Sequence, residues 1–179
     1  MADHLARHWA LPPFRRVPAA RETRGSVAGQ EVVVLKPLTY MNRSGAALAS
    51  LRSLAEFDPA RDLLVLVDEL ALPLGRFRLR GAGSPGGHNG LRSIEAALER
   101  QDYPRLRIGI GPLPPGADAA DFVLGEFAPG ERAALGGLLE PMALARSTND
   151  CSRTRRESAR TMRAVPGQLV TPMMMMMIA

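Results

Sequence analysis

Short apolar runs along this chain alternate with stretches in which apolar residues return every three or four positions. "EVVVLKP" (31–37) is a β-branched run, and "DLLVLVDEL" (62–70) is a longer one closed by two acids. Runs of this length predict strands buried on both faces. "RFRLR" (76–80) instead alternates Arg76, Arg78 and Arg80 with Phe77 and Leu79. That period of two predicts a strand with one apolar and one basic face. "RLRIGIG" (105–111) predicts a fourth strand, with Arg105 and Arg107 sharing a face. Between the strands the period changes. "NRSGAALASLRSLAEF" (42–57) sets Leu48, Leu51, Leu54 and Ala55 at helical spacing, with Asn42 or Ser44 able to cap. "NGLRSIEAALER" (89–100) places Leu91, Ile94 and Leu98 on one helical face, and Asn89 is a candidate N-cap. "PGERAALGGLLEPMALA" (129–145) opens with Pro129, a residue suited to a first helical turn.

Strands alternating with helices predict an α/β domain with a mixed, largely parallel sheet flanked by helices. A length of 179 residues fits one domain. The net charge of +5 is unevenly spread. Six arginines (146, 153, 155, 156, 160 and 163) stand against only Asp150 and Glu157 beyond residue 145. The basic balance therefore belongs to the tail, and nucleic-acid binding has to be argued from local clusters. That tail lacks an apolar period and runs into five methionines. The expectation is a folded domain over residues 1–145 and a disordered basic tail over 146–179.

Cys151 is the only cysteine, which excludes a disulfide framework and a cysteine-based metal site. His4 and His8 stand at i and i+4 without a third ligand nearby, so no metal is expected. No apolar run reaches the ~18 residues of a membrane span, and the start lacks a secretory pattern. A cytoplasmic protein without membrane attachment is expected.

Ligands of open α/β sheets bind beyond the carboxyl ends of the strands, and polar residues gather there. Lys36, Tyr40 and Asn42 follow the first strand, and Asp68 and Glu69 end the second. His88 and Asn89 close the glycine-rich stretch "GAGSPGGHNG" (81–90), just before a helix whose free N–H groups attract anions. A carboxylate such as Asp68 at the rim of an apolar strand can orient an imidazole. The two arginine ladders flank the glycine-rich stretch and suit a phosphate backbone. "GAGSPG" only loosely approximates a dinucleotide-binding loop, and no ribose-binding acid is placed as that site needs.

Four segments occur together: "KPLTYMNRSG" (36–45), "VDELALPLGRFRLR" (67–80), "GSPGGHNGLRSI" (83–94) and "YPRLRIGIGP" (103–112). In order and spacing the chain resembles bacterial-type peptidyl-tRNA hydrolases over about residues 1–145. "DFVLGEF" (121–127) is similar to that family's lid segment. The resemblance implies a monomeric α/β hydrolase that cleaves the ester between a peptide and the 3′ ribose of tRNA, without metal or other cofactor. It implies that Tyr40 and Asn42 lie near the peptide and the attacking water. Asn89, with His88 beside it, would meet the 3′ CCA end of tRNA. Asp68 would orient the catalytic histidine, and Arg80, or Arg78 if the register slips, would form a phosphate clamp with Arg107.

The match also implies two departures. The family opens with a strand, a "GLGNPG" loop and a "TRHN" segment that carries the general base, whereas "MADHLARHWAL" is similar to the helix that follows them. The expectation is a sheet without the first strand and impaired hydrolysis. The family's helical end is replaced by the tail. A non-catalytic tRNA- or RNA-binding protein on this fold is the alternative, and a nucleotide-binding α/β enzyme of another class is a third reading.

Overall fold

The computed structural model describes residues 1–52, 56–138 and 173–178. Helix α1 (Ala2–His8) leads into strands β1 (Arg15–Val17), β2 (Ala20–Val27) and β3 (Gln30–Pro37). A 3-10 helix (Met41–Leu48), α2 (Ala49–Arg52) and α3 (Pro59–Asp62) then cross over to β4 (Leu63–Pro73). Strand β5 (Phe77–Arg80), α4 (Asn89–Leu98), β6 (Arg105–Gly111), α5 (Ala119–Leu124) and α6 (Pro129–Gly136) follow, and β7 (Met173–Ile178) comes last. The sheet order is β1-β2-β3-β7-β4-β6-β5. Its centre, β3-β7-β4-β6, is parallel, and the pairings at both edges are antiparallel. The α/β reading with a mixed sheet therefore stands.

The two central apolar runs are buried on both faces, and alternation divides them among three clusters, Val32 and Val34 packing with Ala2. Val33, Leu35, Leu63, Val65 and Val67 pack with Leu48 and Leu51, and with Leu91 and Ile94 of α4. Leu64, Leu66, Leu106 and Ile108 face the other way, toward Leu5 of α1 and Leu138. Each fully buried aliphatic contributes about 1.5–3 kcal/mol relative to exposure.

Several expectations are corrected. Strands β1 and β2 were not expected, because "ARETRGSV" (20–27) carries charge where a core strand carries aliphatics. The buried charge is neutralised locally: Glu22 accepts from Arg15 at 2.8 Å and from Arg24 at 2.7 Å. The Arg24 hydrogen bond holds its carboxyl below the ordinary glutamate range. The expected helix over 42–57 is a tight 3-10 helix through Leu48, with α helix only over Ala49–Arg52, and residues 53–55 lie outside the described residues. Close packing accompanies the tight winding. The Gly45 N–H donates to Ser93 Oγ at 3.0 Å, and a Cβ at Gly45 would stand 2.2 Å from the Ser93 carbonyl oxygen. Of the helix expected over 129–145, α6 covers the part through Gly136.

Part of the tail has a place in the sheet. Residues 146–172 lie outside the described residues, but residues 173–178 form β7, between β3 and β4. Its register runs from Val32↔Met173 to Leu35↔Met176 on one side and from Leu63↔Met174 to Val67↔Ile178 on the other. The reason is backbone satisfaction. Two parallel strands one strand-width apart each present a row of N–H and C=O groups that need partners. An apolar segment free of proline and glycine can supply them. Among the described residues no helix is long and apolar enough to cross a membrane.

Candidate active site

Asp68 follows the buried run Leu63–Val67 at the point where pairing with β7 stops, and β4 itself continues to Pro73, which corrects the expectation that the two acids end the strand. Asp68 Oδ1 lies 3.1 Å from His88 Nε2. The other ring nitrogen of His88, Nδ1, accepts from the backbone N–H groups of Gly90 at 3.1 Å and Leu91 at 3.3 Å. A backbone N–H can only donate, so Nδ1 is the unprotonated nitrogen and Nε2–H points at Asp68. His88 is thus the N-cap of α4, and Asn89 is the exposed first residue of that helix. This corrects the expectation that Asn89 caps. Asparagine and serine are the usual caps, but an imidazole reaches further and joins the helix end to a carboxylate as well. With both nitrogens engaged, His88 has no lone pair free to take a proton in this arrangement.

The glycine-rich loop before His88 is held at a second point. Arg107 donates through Nη1 to Glu69 Oε2 at 2.5 Å and through Nη2 to the Ser84 carbonyl at 3.3 Å. Arg105 donates through Nη1 to the same carbonyl at 3.2 Å and to Glu95 at 3.3 Å, and through Nη2 to the Gln101 carbonyl at 3.0 Å. Its guanidinium is fully buried and lies 4.3 Å from the Tyr103 ring centre. Burial pushes the Tyr103 hydroxyl up to about 12. Gly86 and Gly87, at φ +58° and +86°, give the loop the left-handed turn that other residues rarely adopt. A Cβ on Gly86 would stand 3.5 Å from the Arg107 guanidinium.

The two arginine ladders meet on one face. Arg78 is paired in register with Arg107 and Arg80 with Arg105, and opposite residues in an antiparallel pair share a face. Arg78 and Arg80 are exposed and make no ion pair among the described residues. Arg105 and Arg107 are instead engaged with the loop. Tyr40 is 82% exposed and Asn42 is exposed as well. Their rim is fixed from below, by Ser44 Oγ donating to the Met41 carbonyl at 2.8 Å and by the Gly45–Ser93 contact. The structure therefore brings Asp68 and His88 together and joins Arg107 to the loop. It makes no hydrogen bond between Asp68 and Tyr40, Asn42 or Asn89.

On the other face of β4 lies a cavity of about 530 Å³ whose wall includes Asp68, Leu66 and Ile108. Gly125, Glu126 and Phe127 cover it, together with Arg132 and Leu135 of α6. This is the segment similar to a lid. Arg132 fastens it by donating to the Phe127 carbonyl at 2.8 Å and to Glu126 at 3.0 Å. His4 of α1 also lines the cavity, a position the sequence reading did not assign to the site. Burial, aided by the positive chain terminus and Arg7, lowers its pKa below the ordinary histidine value. Nothing in the sequence marked it, because only the docking of α1 decides which of its residues face inward. Among the described residues no group of three or more His, Cys, Asp or Glu could hold a metal.

An α/β sheet with a carboxylate–imidazole pair at its carboxyl rim, a glycine-rich loop opening a helix, and exposed arginines beside it defines a class. It is an α/β protein with a polar, partly basic rim beside its parallel strands. The family model described as peptidyl-tRNA hydrolase matches residues 1–165, and the chain belongs to that family. It is 53% identical over 141 residues to the peptidyl-tRNA hydrolase of Chloroflexus aurantiacus, covering 79% of this chain and 75% of that protein. It is 48% identical over 136 residues to that of Gemmatimonas aurantiaca, covering 74% of this chain and 72% of the relative. Among solved structures it is similar to the peptidyl-tRNA hydrolase of Acinetobacter baumannii, with a TM-score of 0.72 at 29% identity. That match covers 86% of this chain and 78% of the other. A peptidyl-tRNA hydrolase crystallised with n-propanol gives a TM-score of 0.71 at 30% identity, covering 83% and 75%.

Proposed function

We propose that this rim takes the ester end of peptidyl-tRNA and directs water to the carbonyl that joins peptide to ribose. The bond between the carbonyl carbon and the ribose oxygen breaks, leaving a peptide carboxylate and a tRNA with a free 3′ hydroxyl. The observation that carries the reading is the joining of Asp68, His88 and the α4 N-terminus at one rim, beside exposed Arg78 and Arg80. Tyr40 and Asn42, both exposed, would meet the peptide and the water. Asn89, the exposed first residue of α4, suits the 3′ CCA end. Arg80 or Arg78, with Arg107, suits the backbone phosphates. Asp68 is a positioning carboxylate for the catalytic histidine of the family's "TRHN" segment, a role that His88, with both ring nitrogens engaged, does not fill. The setting is the cytoplasm, and the working unit is a monomer.

One observation favours a second reading, a non-catalytic tRNA-binding protein. His88, the imidazole at Asp68 among the described residues, has both ring nitrogens engaged. A turnover assay separates the two. Full-length chain mixed with excess peptidyl-tRNA should release peptide and free tRNA. Asp68→Asn should lower that rate by roughly 10²–10⁴, the usual worth of positioned acid–base groups. Tight binding of peptidyl-tRNA without release would support the binding protein instead.

A further inference from the structure

Glu69 and Arg107 have no part in that reading beyond the clamp, yet their geometry is specific. Consecutive residues of a strand project to opposite faces. Asp68 lines the cavity on one face of β4, while Glu69 meets Arg107 on the other, the face of α4. The glycine-rich loop is therefore tied to two neighbouring acids. His88 connects one end of it to Asp68, and Ser84 connects the other end, through Arg107, to Glu69.

The two arginines that hold Ser84 are not equivalent. Arg105 is sealed in the protein at 0% exposure and also bound to Glu95 and the Gln101 carbonyl. The side chains of Arg107 and Glu69 remain 19% and 21% exposed, within reach of solvent. Arg107 stands in register with exposed Arg78, next to exposed Arg80. An anion settling on those two would arrive beside a third guanidinium already occupied by a carboxylate. If it takes Arg107 from Glu69, the loop keeps its second support, since Arg105 still holds the Ser84 carbonyl. Glu69 also has another partner, because its Oε1 accepts from the Ala71 N–H at 3.2 Å.

We propose that Glu69 and Arg107 form a latch on the glycine-rich loop, which a tRNA backbone phosphate opens by replacing the Glu69 carboxylate on Arg107. Glu69 is then a positioning residue and a built-in competitor. It neutralises one of the clamp arginines until a phosphate arrives where Arg78 and Arg80 also reach it, and so penalises anions placed elsewhere. The proposal rests on the tRNA-binding reading above, and it goes further by assigning a role to an acid among the arginines.

The test uses the full chain and labelled deacylated tRNA in a salt series. Glu69→Gln should bind tRNA about 3–10-fold more tightly, with a log–log salt slope steeper by about one, because one more arginine is free to neutralise a phosphate. The gain should vanish in the Arg107→Ala background. A gain that persists there, or a Glu69→Gln variant that binds no better than the parent, would overturn the latch. Without tRNA, hydrogen exchange at the loop amides 81–87 should quicken in Glu69→Gln, and unchanged exchange overturns the latch alone. No salt-dependent tRNA binding by any of the proteins, with exchange still quickened, would overturn the tRNA reading and the phosphate step while leaving the loop contact in place.

Discussion

Two rims border the candidate site, and different forces hold them. The rim at residues 81–89 is tied by hydrogen bonds to charged groups: His88 to Asp68, and Ser84 to Arg105 and Arg107, which are held by Glu95 and Glu69. The rim at Tyr40 and Asn42 is held through its backbone, by close packing of the 3-10 helix on α4, and leaves both side chains exposed. The first is set before any ligand arrives. The second keeps side-chain freedom and loses it only on binding, at about 0.5–1.5 kcal/mol per ordered side chain. Such a division suits a ligand with one constant part and one variable part. Phosphates and a terminal nucleotide repeat from substrate to substrate, while a peptide does not.

Strand β7 separates the two, since β3 leads to Tyr40 and β4 leads to Asp68. Deleting residues 173–179 should therefore have the largest effect. It leaves the backbone groups of Val32–Leu35 and Leu63–Val67 without their parallel partner. A fall in Tm of more than ~10 °C is expected, because several buried groups at about 1–3 kcal/mol each lose hydrogen bonds together. A truncated chain that melts with the parent would show that β7 is not needed to space the rims.

Next comes the charged rim. Arg105→Met removes a fully buried cation, takes the Gln101 carbonyl's donor, and leaves Glu95 to Gln101 and the Ser84 carbonyl to Arg107. A loss of about 3–5 kcal/mol in urea unfolding is expected, as for other broken buried pairs. A loss below 1 kcal/mol would mean that the loop is held mainly by Asp68 and Arg107. The packed rim should prove less costly to disturb. Gly45→Ala drives a methyl against the Ser93 carbonyl, and overpacking of this kind costs about 1–3 kcal/mol. Its kinetic signature should be a raised KM for peptidyl-tRNA, because Tyr40 and Asn42 move with the 3-10 helix. Unchanged KM with lowered stability would detach that rim from binding. The smallest stability effect belongs to Tyr40→Ala, within about 0.5 kcal/mol at so exposed a position. Turnover should still fall at low substrate concentration and recover at high, and a loss in kcat with unaltered KM would give Tyr40 a different role.

Much of this arrangement could be read along the chain. The runs at 31–37, 62–70 and 105–111 and the alternation at 76–80 placed four strands, and polar residues near their ends marked the rim. Asp68 and His88 were both legible as candidates, but not their pairing, since residues twenty positions apart meet only when the loop folds back over β4. Asn89 looked the better cap by residue type. His88 holds the position because it meets two needs at once.

What the sequence determined by itself is whatever local periodicity and residue chemistry express: strands buried on both faces, a helix opened by a glycine-rich turn, arginines alternating on a strand, and motifs that mark the family. Tertiary structure decided which of those residues are free to act. Arg105 and Arg80 look alike in an alternating ladder, yet one is sealed beneath Ser84 and the other faces solvent. It also turned His4 into a cavity and seated a run of methionines in the middle of the sheet. Those outcomes depend on unsatisfied backbone and on neighbours distant in the chain, and no local pattern records either.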